Sequence, residues 1–284
     1  ALSYGTKRSK GRPLGSAVNW ITILLASLTG LFATPGVGVQ EVAEQSLRNQ
    51  IEDAETLAIR IDAAPTHQFL SGQIDQVRIA GRGILIQDGV RIDHLDLETD
   101  AIDLDINQLR NGNIGLDQPL RAVVRLELTT ADINQALQSP SVTQSLQDLS
   151  LNVLGEGTIG GFNRSDVVAA RFTVPQPGRV QLETQLQEQG TGQGLAIRLG
   201  LGVAIANGYQ FQLTDPELVA NGEAFPSGLL TSLVEGVSRE FTLRNLEAAG
   251  ITARLLELEV EADRVQVVAF VEISPDAEIF AADD

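Results

Sequence analysis

The sequence predicts an α+β protein in which a curved antiparallel β-sheet wraps around amphipathic helices. Two patterns carry that prediction. Across residues 65–106, and again at 119–129, 195–206 and 251–273, apolar and polar residues alternate with a period of two, as strands with one apolar and one wet face do. Between them, apolar residues recur at helical spacing in 39–58, 130–149 and 226–241. The order helix, strands, helix, strands, helix, strands has no βαβ rhythm, which favours antiparallel pairing.

The chain opens on a basic flank. Lys7, Arg8, Lys10 and Arg12 are the only charges before Glu41, and they precede the uncharged run Ala17–Ala33, 17 residues long. A basic flank followed by an apolar segment is the layout of an exported chain, with the basic residues retained on the cytoplasmic side. Residues 1–38 therefore read as a basic extension followed by a signal peptide or a membrane anchor. Ala33 suits a cleavage site, while Val37 and Val39 extend the run toward the roughly 20 residues of a full span. The expected location is an exported compartment, periplasm or thylakoid lumen, with residues 17–39 as the membrane contact.

Charge narrows the partners. Of 20 Lys and Arg against 37 Asp and Glu, the four N-terminal cations removed leave 16 Arg, no Lys and a balance of 16 − 37 = −21. Such a body repels nucleic acid, whose binding needs basic footprints that release counterions. The chain has no cysteine, so disulfides, thiolate catalysis and cysteine-ligated zinc are all excluded.

In chain order, Val39–Ala58 reads as an amphipathic helix, with Val42, Leu47, Ile51, Ala54 and Leu57 opposite Glu41, Glu44, Arg48 and Asp53. A β-prone piece, Ile59–Asp62, follows. In the next block Val77 and Ile79 oppose Arg78, Leu95 and Leu97 oppose Asp96 and Glu98, and Leu104 and Ile106 oppose Asp103 and Asp105. Gly81 and Gly83 lie within one strand of this block and mark a bulge, a bend or a close approach. Residues 119–129 form the clearest strand, with Leu120, Ala122, Val124, Leu126 and Leu128 on one side. Thr129-Thr130-Ala131-Asp132 then has the form of a capping box, opening a helix that Ser139-Pro140 interrupts.

Residues 150–180 are rich in Gly and Pro and mark a seam. Strands resume at 180–186 and 195–206. In the latter, Leu195 to Ile205 line one face, and Ala196, Gly200, Gly202, Ala204 and Ala206 leave the other open to close approach. A third helix carries Leu229, Leu230, Leu233, Val234, Val237 and Phe241. Two strands, 251–262 and 264–273, form a hairpin, and the acidic tail 275–284 is expected to be loose.

Chemistry-bearing motifs are scarce. The run Asp93, Asp96, Glu98, Asp100, Asp103, Asp105 alternates with Leu and Ile, which makes it a solvated strand face; it lacks the turn of a calcium loop. His67 and His94 are the only histidines, and no Gly-x-Ser-x-Gly elbow supplies a nucleophile. Gly81-x-Gly83 lacks the third glycine of a dinucleotide site. No catalytic residue, no metal ligand and no cofactor are assigned, and the chain is not expected to be an enzyme.

The block Phe69-Leu70-x-Gly72-x-Ile74-Asp75-x-Val77-x-Ile79-x-Gly81-x-Gly83, followed by Leu95-x-Leu97-Glu98-Thr99-Asp100-x-Ile102-Asp103-Leu104 and by Leu128-Thr129-x-Ala131-Asp132-Ile133-Asn134-x-Ala136-Leu137-x-Ser139-Pro140, resembles the LmeA-like phospholipid-binding family. Members are exported, often tethered envelope proteins of actinobacteria and cyanobacteria. The low-lysine, Gln- and Leu-rich composition here is cyanobacterial in texture. The likeness spans about residues 39–273, inside an LmeA-like domain of 39–274. It implies a fold similar to the TULIP or BPI-type lipid-binding domains, a phospholipid or other acyl lipid as partner, and a role in lipid transfer or envelope maintenance. The charged extension and the acidic body depart from a chain built for anionic headgroups.

Hydrocarbon burial contributes about 0.8 kcal/mol per methylene, so an acidic protein can still hold a phospholipid by its tails. The expected groove lining is Val77, Ile79, Leu95, Leu97, Leu104, Val124, Leu126, Leu128, Leu229, Leu233 and Val237. The alternative from a different class is a non-catalytic envelope scaffold with a filled interior and an exposed docking patch. A hydrolase would need two carboxylates facing each other across a cleft.

Overall fold

The computed structural model describes residue 48 and residues 51–62, 71–86, 90–111, 115–139, 142–143, 165–188, 194–224, 230, 234 and 242–280. The first half holds β1 (Asp53–Asp62), β2 (Gln73–Ile74), β3 (Gln76–Ile86), β4 (Val90–Thr99), β5 (Ile102–Asp103), α1 (Ile106–Arg110), β6 (Leu120–Thr129) and α2 (Thr130–Ala136). The second holds β7 (Ser165–Gln176), β8 (Arg179–Glu188), β9 (Gly194–Ala206), β10 (Gln210–Ala220), β11 (Glu223–Ala224), β12 (Ile251–Val260) and β13 (Arg264–Ile273), with 3-10 turns at Leu243–Ala249 and Glu278–Phe280. These residues are mostly antiparallel strand. Of the helices the sheets were expected to wrap, 39–58 and 226–241, residues 39–47, 49–50, 226–229, 231–233 and 235–241 lie outside the described residues; Arg48, Leu230 and Val234 are helical, while Ile51 and Glu52 are not.

Six strands form one sheet in the order β1-β3-β4-β6-β13-β12, and five form another in the order β11-β10-β9-β8-β7. Alternation sets the register of the first. Ile59 sits opposite Ile79, Ile79 opposite Leu97, Leu97 opposite Val124 and Val124 opposite Ala269, so one face is apolar from edge to edge. On the second sheet Phe172, Leu182, Leu199 and Leu218 make a similar row. The two sheets meet at β12. The Gly178 amide at the β7–β8 turn donates to Val260 O at 2.9 Å, and Leu255 N donates to Gly208 O at the β9–β10 turn. Both turn glycines need a positive φ, +74° and +72°.

A second contact runs through α2. Thr129 caps it in a reciprocal capping box with Asp132, as the sequence pattern predicts. Asn134 then clamps the free edge of β7: its Nδ2 donates to Phe172 O at 2.9 Å and its Oδ1 accepts from Phe172 N at 2.8 Å. Gln138 donates to Ala170 O at 3.0 Å on the same edge. An otherwise open strand is thus blunted by side-chain amides.

The structure redraws several expected elements. Residues 53–58 belong to a strand and not to the end of a helix. Leu57, Ile59 and Ile61 face inward at strand spacing, and the six-residue overlap with helical spacing, 53–58, made the two patterns indistinguishable there. Ile106 opens α1, because Asp105 accepts from the amides of Asn107 and Gln108 and so stops the strand. The Gly- and Pro-rich seam contains the twelve-residue β7, and β10 was not anticipated. The final hairpin forms as expected. Part of the expected loose tail is packed, with Ala277 only 2% exposed and Ile279 and Phe280 against the core.

At Gly83 (φ +57°) the pleat of β3 changes sense. Before it Val77 and Ile79 are buried; after it burial passes to Ile84, although the register with β4 is unbroken. The polar positions of that end, Glu55, Arg91 and Asp93, instead converge on Asp132 of α2. Arg91 Nη2 lies 2.8 Å from Glu55, and its Nη1 lies 2.9 Å from Asp93 and 3.1 Å from Asp132. The carboxylates, Glu55 foremost, hold the guanidinium charged well above its ordinary range.

Candidate lipid-binding faces

The packed core does not cover the apolar face of the first sheet evenly. It seals β1 and β3 through Leu57, Ile59, Val77 and Ile79, and one end of β6, β12 and β13 through Leu120, Ile251 and Ile273. The β2–β5 pair and the 3-10 turn at Leu246 supply the cover there, with Ile74 and Ile102 at 1% and 2% exposure. Between these seals, Leu95, Leu97, Leu126 and Leu128 are only partly buried. Their register partners Val265 and Val267 on β13 are partly buried as well.

The expected lining therefore divides. Val77, Ile79 and Leu104 lie in the dry core, at 3% exposure or less, and are filled against by protein. Leu95, Leu97, Val124, Leu126 and Leu128 share one half-covered strip. Leu229, Leu233 and Val237 lie outside the described residues. The second sheet adds residues that sequence reasoning passed over: Leu182, Leu199, Leu201, Val203, Phe211 and Leu213 are all partly exposed on its apolar face. Alternation in β8 and β9 already put Leu182, Leu199, Leu201 and Val203 on apolar faces, while Phe211 and Leu213 lie on the unanticipated β10; the pairing that makes them a broad face is not a local property. On the opposite face of β9 a neighbour comes close around Gly200 and Gly202, while Ala196 and Ala204 are exposed. A Cβ on Gly200 would lie 3.5 Å from Arg179 Nη2, and one on Gly202 would strike the Thr214 hydroxyl.

On the other side of the first sheet a hollow of about 730 Å³ spans β1, β3, β4, β6 and β13. Its floor is Ala58, Ala80, Val123, Val268 and Phe270, and Arg60, Arg78, Asp96, Glu98, Arg121 and Arg125 stand around it. Of the expected lining only Ile79 and Leu97 touch it.

The acidic run separates into strand-face pairs and caps. Asp93 pairs with Arg91, Glu98 accepts from Gln76 Nε2 at 2.6 Å, and Asp100 accepts from the amide of Ala101. Among the described residues no three His, Asp or Glu gather as a metal ion would require. His94 lies 3.4 Å from Asp96 and opposite Arg82 and Glu127 on the neighbouring strands; His67 is outside the described residues. No helix among the described residues is long and apolar enough to cross a membrane, and residues 17–39 are not among them.

A family model described as LmeA-like phospholipid-binding matches residues 36–270. No curated protein and no solved structure matches the chain. The match covers most of the 284 residues, and the chain belongs to the LmeA-like phospholipid-binding family.

Proposed function

We propose that this member of the LmeA-like phospholipid-binding family holds the acyl chains of a phospholipid against the half-covered apolar faces of its two sheets. The observation that carries the reading is the strip Leu95, Leu97, Val124, Leu126 and Leu128, which the core reaches but does not cover. Hydrocarbon laid there is removed from water at about 0.8 kcal/mol per methylene, so ten methylenes contribute roughly 8 kcal/mol before ordering costs. No charge contact on an exposed surface competes with that magnitude, which reconciles lipid binding with a body of −21. In this reading the two sheets are part of a TULIP-like cradle. The protein is exported and held at the membrane by residues 17–39, and it moves lipid or maintains the envelope.

The test is uptake by delipidated full-length protein of a phospholipid fluorescent on its acyl chain. Saturable uptake is expected. Leu126→Arg should lower it about tenfold, the size of one unfavourable buried charge contact, while the urea midpoint moves little because that side chain is only partly covered. Absence of uptake by the unaltered protein, with a protein partner recovered at one-to-one ratio, selects the scaffold reading instead.

A further inference from the structure

The hollow on the outer face of the first sheet is not used by the acyl-chain reading, and its side chains have an arrangement of their own. We propose that it is a headgroup site for a zwitterionic lipid, one bearing a phosphate and an ammonium group. The inference rests on the lipid-binding reading above; because the hollow and the acyl strip lie on opposite faces of β4 and β6, the headgroup is that of a second lipid and not of the one held by its tails.

The observations concern how its charges are paired. Arg60 and Arg121 are committed, at 2.9 Å to Asp62 and 2.7 Å to Glu272. Arg78 and Arg125 are not. Arg78 approaches Glu98 at 3.5 Å and Asp62 at 3.8 Å, and Arg125 approaches Asp96 at 3.9 Å, with no hydrogen bond from either guanidinium among the described residues. Both are about half exposed, at 47% and 51%. Guanidinium donors free of a tight carboxylate are what a phosphate oxygen takes up with short, charge-assisted bonds.

Between them on β4 stand Asp96 and Glu98. Register places Arg78 opposite Glu98 and Asp96 opposite Arg125, so cation and anion alternate across three strands. An anionic headgroup placed on the two arginines would set its remaining negative charge against these carboxylates. A phosphate carrying an ammonium satisfies both signs at once. The floor beside them is apolar: Val123 is 41% exposed and sits opposite Phe270, an aromatic side chain of the kind that attracts an ammonium group.

The experiment titrates the full chain with dihexanoyl phosphatidylcholine and with dihexanoyl phosphatidylglycerol, both kept monomeric. The tails are identical, so their difference reports the headgroup alone. Phosphatidylcholine is expected to bind about tenfold tighter, the worth of one charge-assisted contact. Arg78→Gln and Arg125→Gln should weaken both lipids about equally, because both carry phosphate. The double variant Asp96→Asn/Glu98→Gln should abolish the preference, because it removes the ammonium partners and leaves the phosphate donors. Val123→Asp, on the floor, should weaken both without touching an arginine. Vesicles of the two lipids, sedimented with the protein, distinguish a headgroup met in a bilayer from one carried on an extracted lipid.

A preference that survives the double carboxylate variant overturns the assignment, since it would then come from repulsion by the acidic body as a whole. Equal binding of the two lipids also overturns it and leaves the acyl-chain reading standing. No binding of either, together with no uptake of the acyl-labelled lipid, removes both.

Discussion

At the scale of single residues, the arrangement of charge is governed by what each ion pair excludes from water. The bridge at Arg91 joins Glu55, Asp93 and Asp132, but these partners are not equal: Glu55 is 67% exposed and Asp132 only 6%. The exposed pair is worth little. Arg91→Gln should instead cost about 1–3 kcal/mol, because it leaves the buried Asp132 carboxylate without its cation. A urea unfolding midpoint unchanged by that substitution would contradict this account of the cluster. Asp105 offers a pH test. Its carboxyl is held below the usual carboxylate range, chiefly by the Gln108 amide and also by that of Asn107. A depressed value in the fold means the cap contributes above the unfolded value of about 4 and is lost as pH falls through the lower folded one. Amide exchange at Asn107 and Gln108, corrected for its intrinsic pH dependence, should therefore lose protection only below about pH 4. Loss of protection near neutrality would show that another group holds the turn.

At the scale of elements, the second sheet is secured to the rest by contacts of two kinds among the described residues, backbone bonds from its hairpin turns to β12 and to residues 242–243, and side-chain amides from α2 to β7. Asn134 makes both bonds to Phe172. Asn134→Ala should expose the Phe172 amide, raising its exchange rate, and cost about 1–2 kcal/mol in stability. An unchanged exchange rate would mean that β7 is protected by something other than this clamp. The same elements show which parts of the fold were legible. The capping box and the final hairpin could be read from Thr129 to Asp132 and from residues 251–273 because each is specified by positions that adjoin one another in the chain. The strand at 53–58 could not, since Ala54, Leu57 and Ala58 fit helical spacing as well as Leu57, Ile59 and Ile61 fit strand spacing. β7 was hidden by its own composition. Pro175 and the glycines around residues 155–161 signal turns, while Phe172 gains its meaning only from pairing with Leu182 of β8.

At the scale of the whole molecule, the two sheets meet at β12, and among the described residues the apolar face of each is only partly buried. That follows from the strict alternation of the sequence, which supplies an apolar face on every long strand, and from the shortness of the described helices. The alternation made the partly buried strip legible at Leu95, Leu97, Val124, Leu126 and Leu128. It could not separate that strip from Val77, Ile79 and Leu104, which have the same pattern but lie under protein, because burial depends on which distant segment lands on each strand. The outer hollow was illegible for a related reason. Arg78, Glu98, Asp96 and Arg125 come from three strands, and only their register brings them together.

The most direct test of the central claim is where an acyl chain sits. Methyl resonances of the Leu, Ile and Val residues would be recorded with a phospholipid bearing a nitroxide on its chain. Leu95, Leu97, Leu126 and Leu128 should broaden strongly, while Ile74, Ile102 and Ile251, which are 1–2% exposed, should not. Broadening that is absent, or spread evenly over strip and core, would contradict the account.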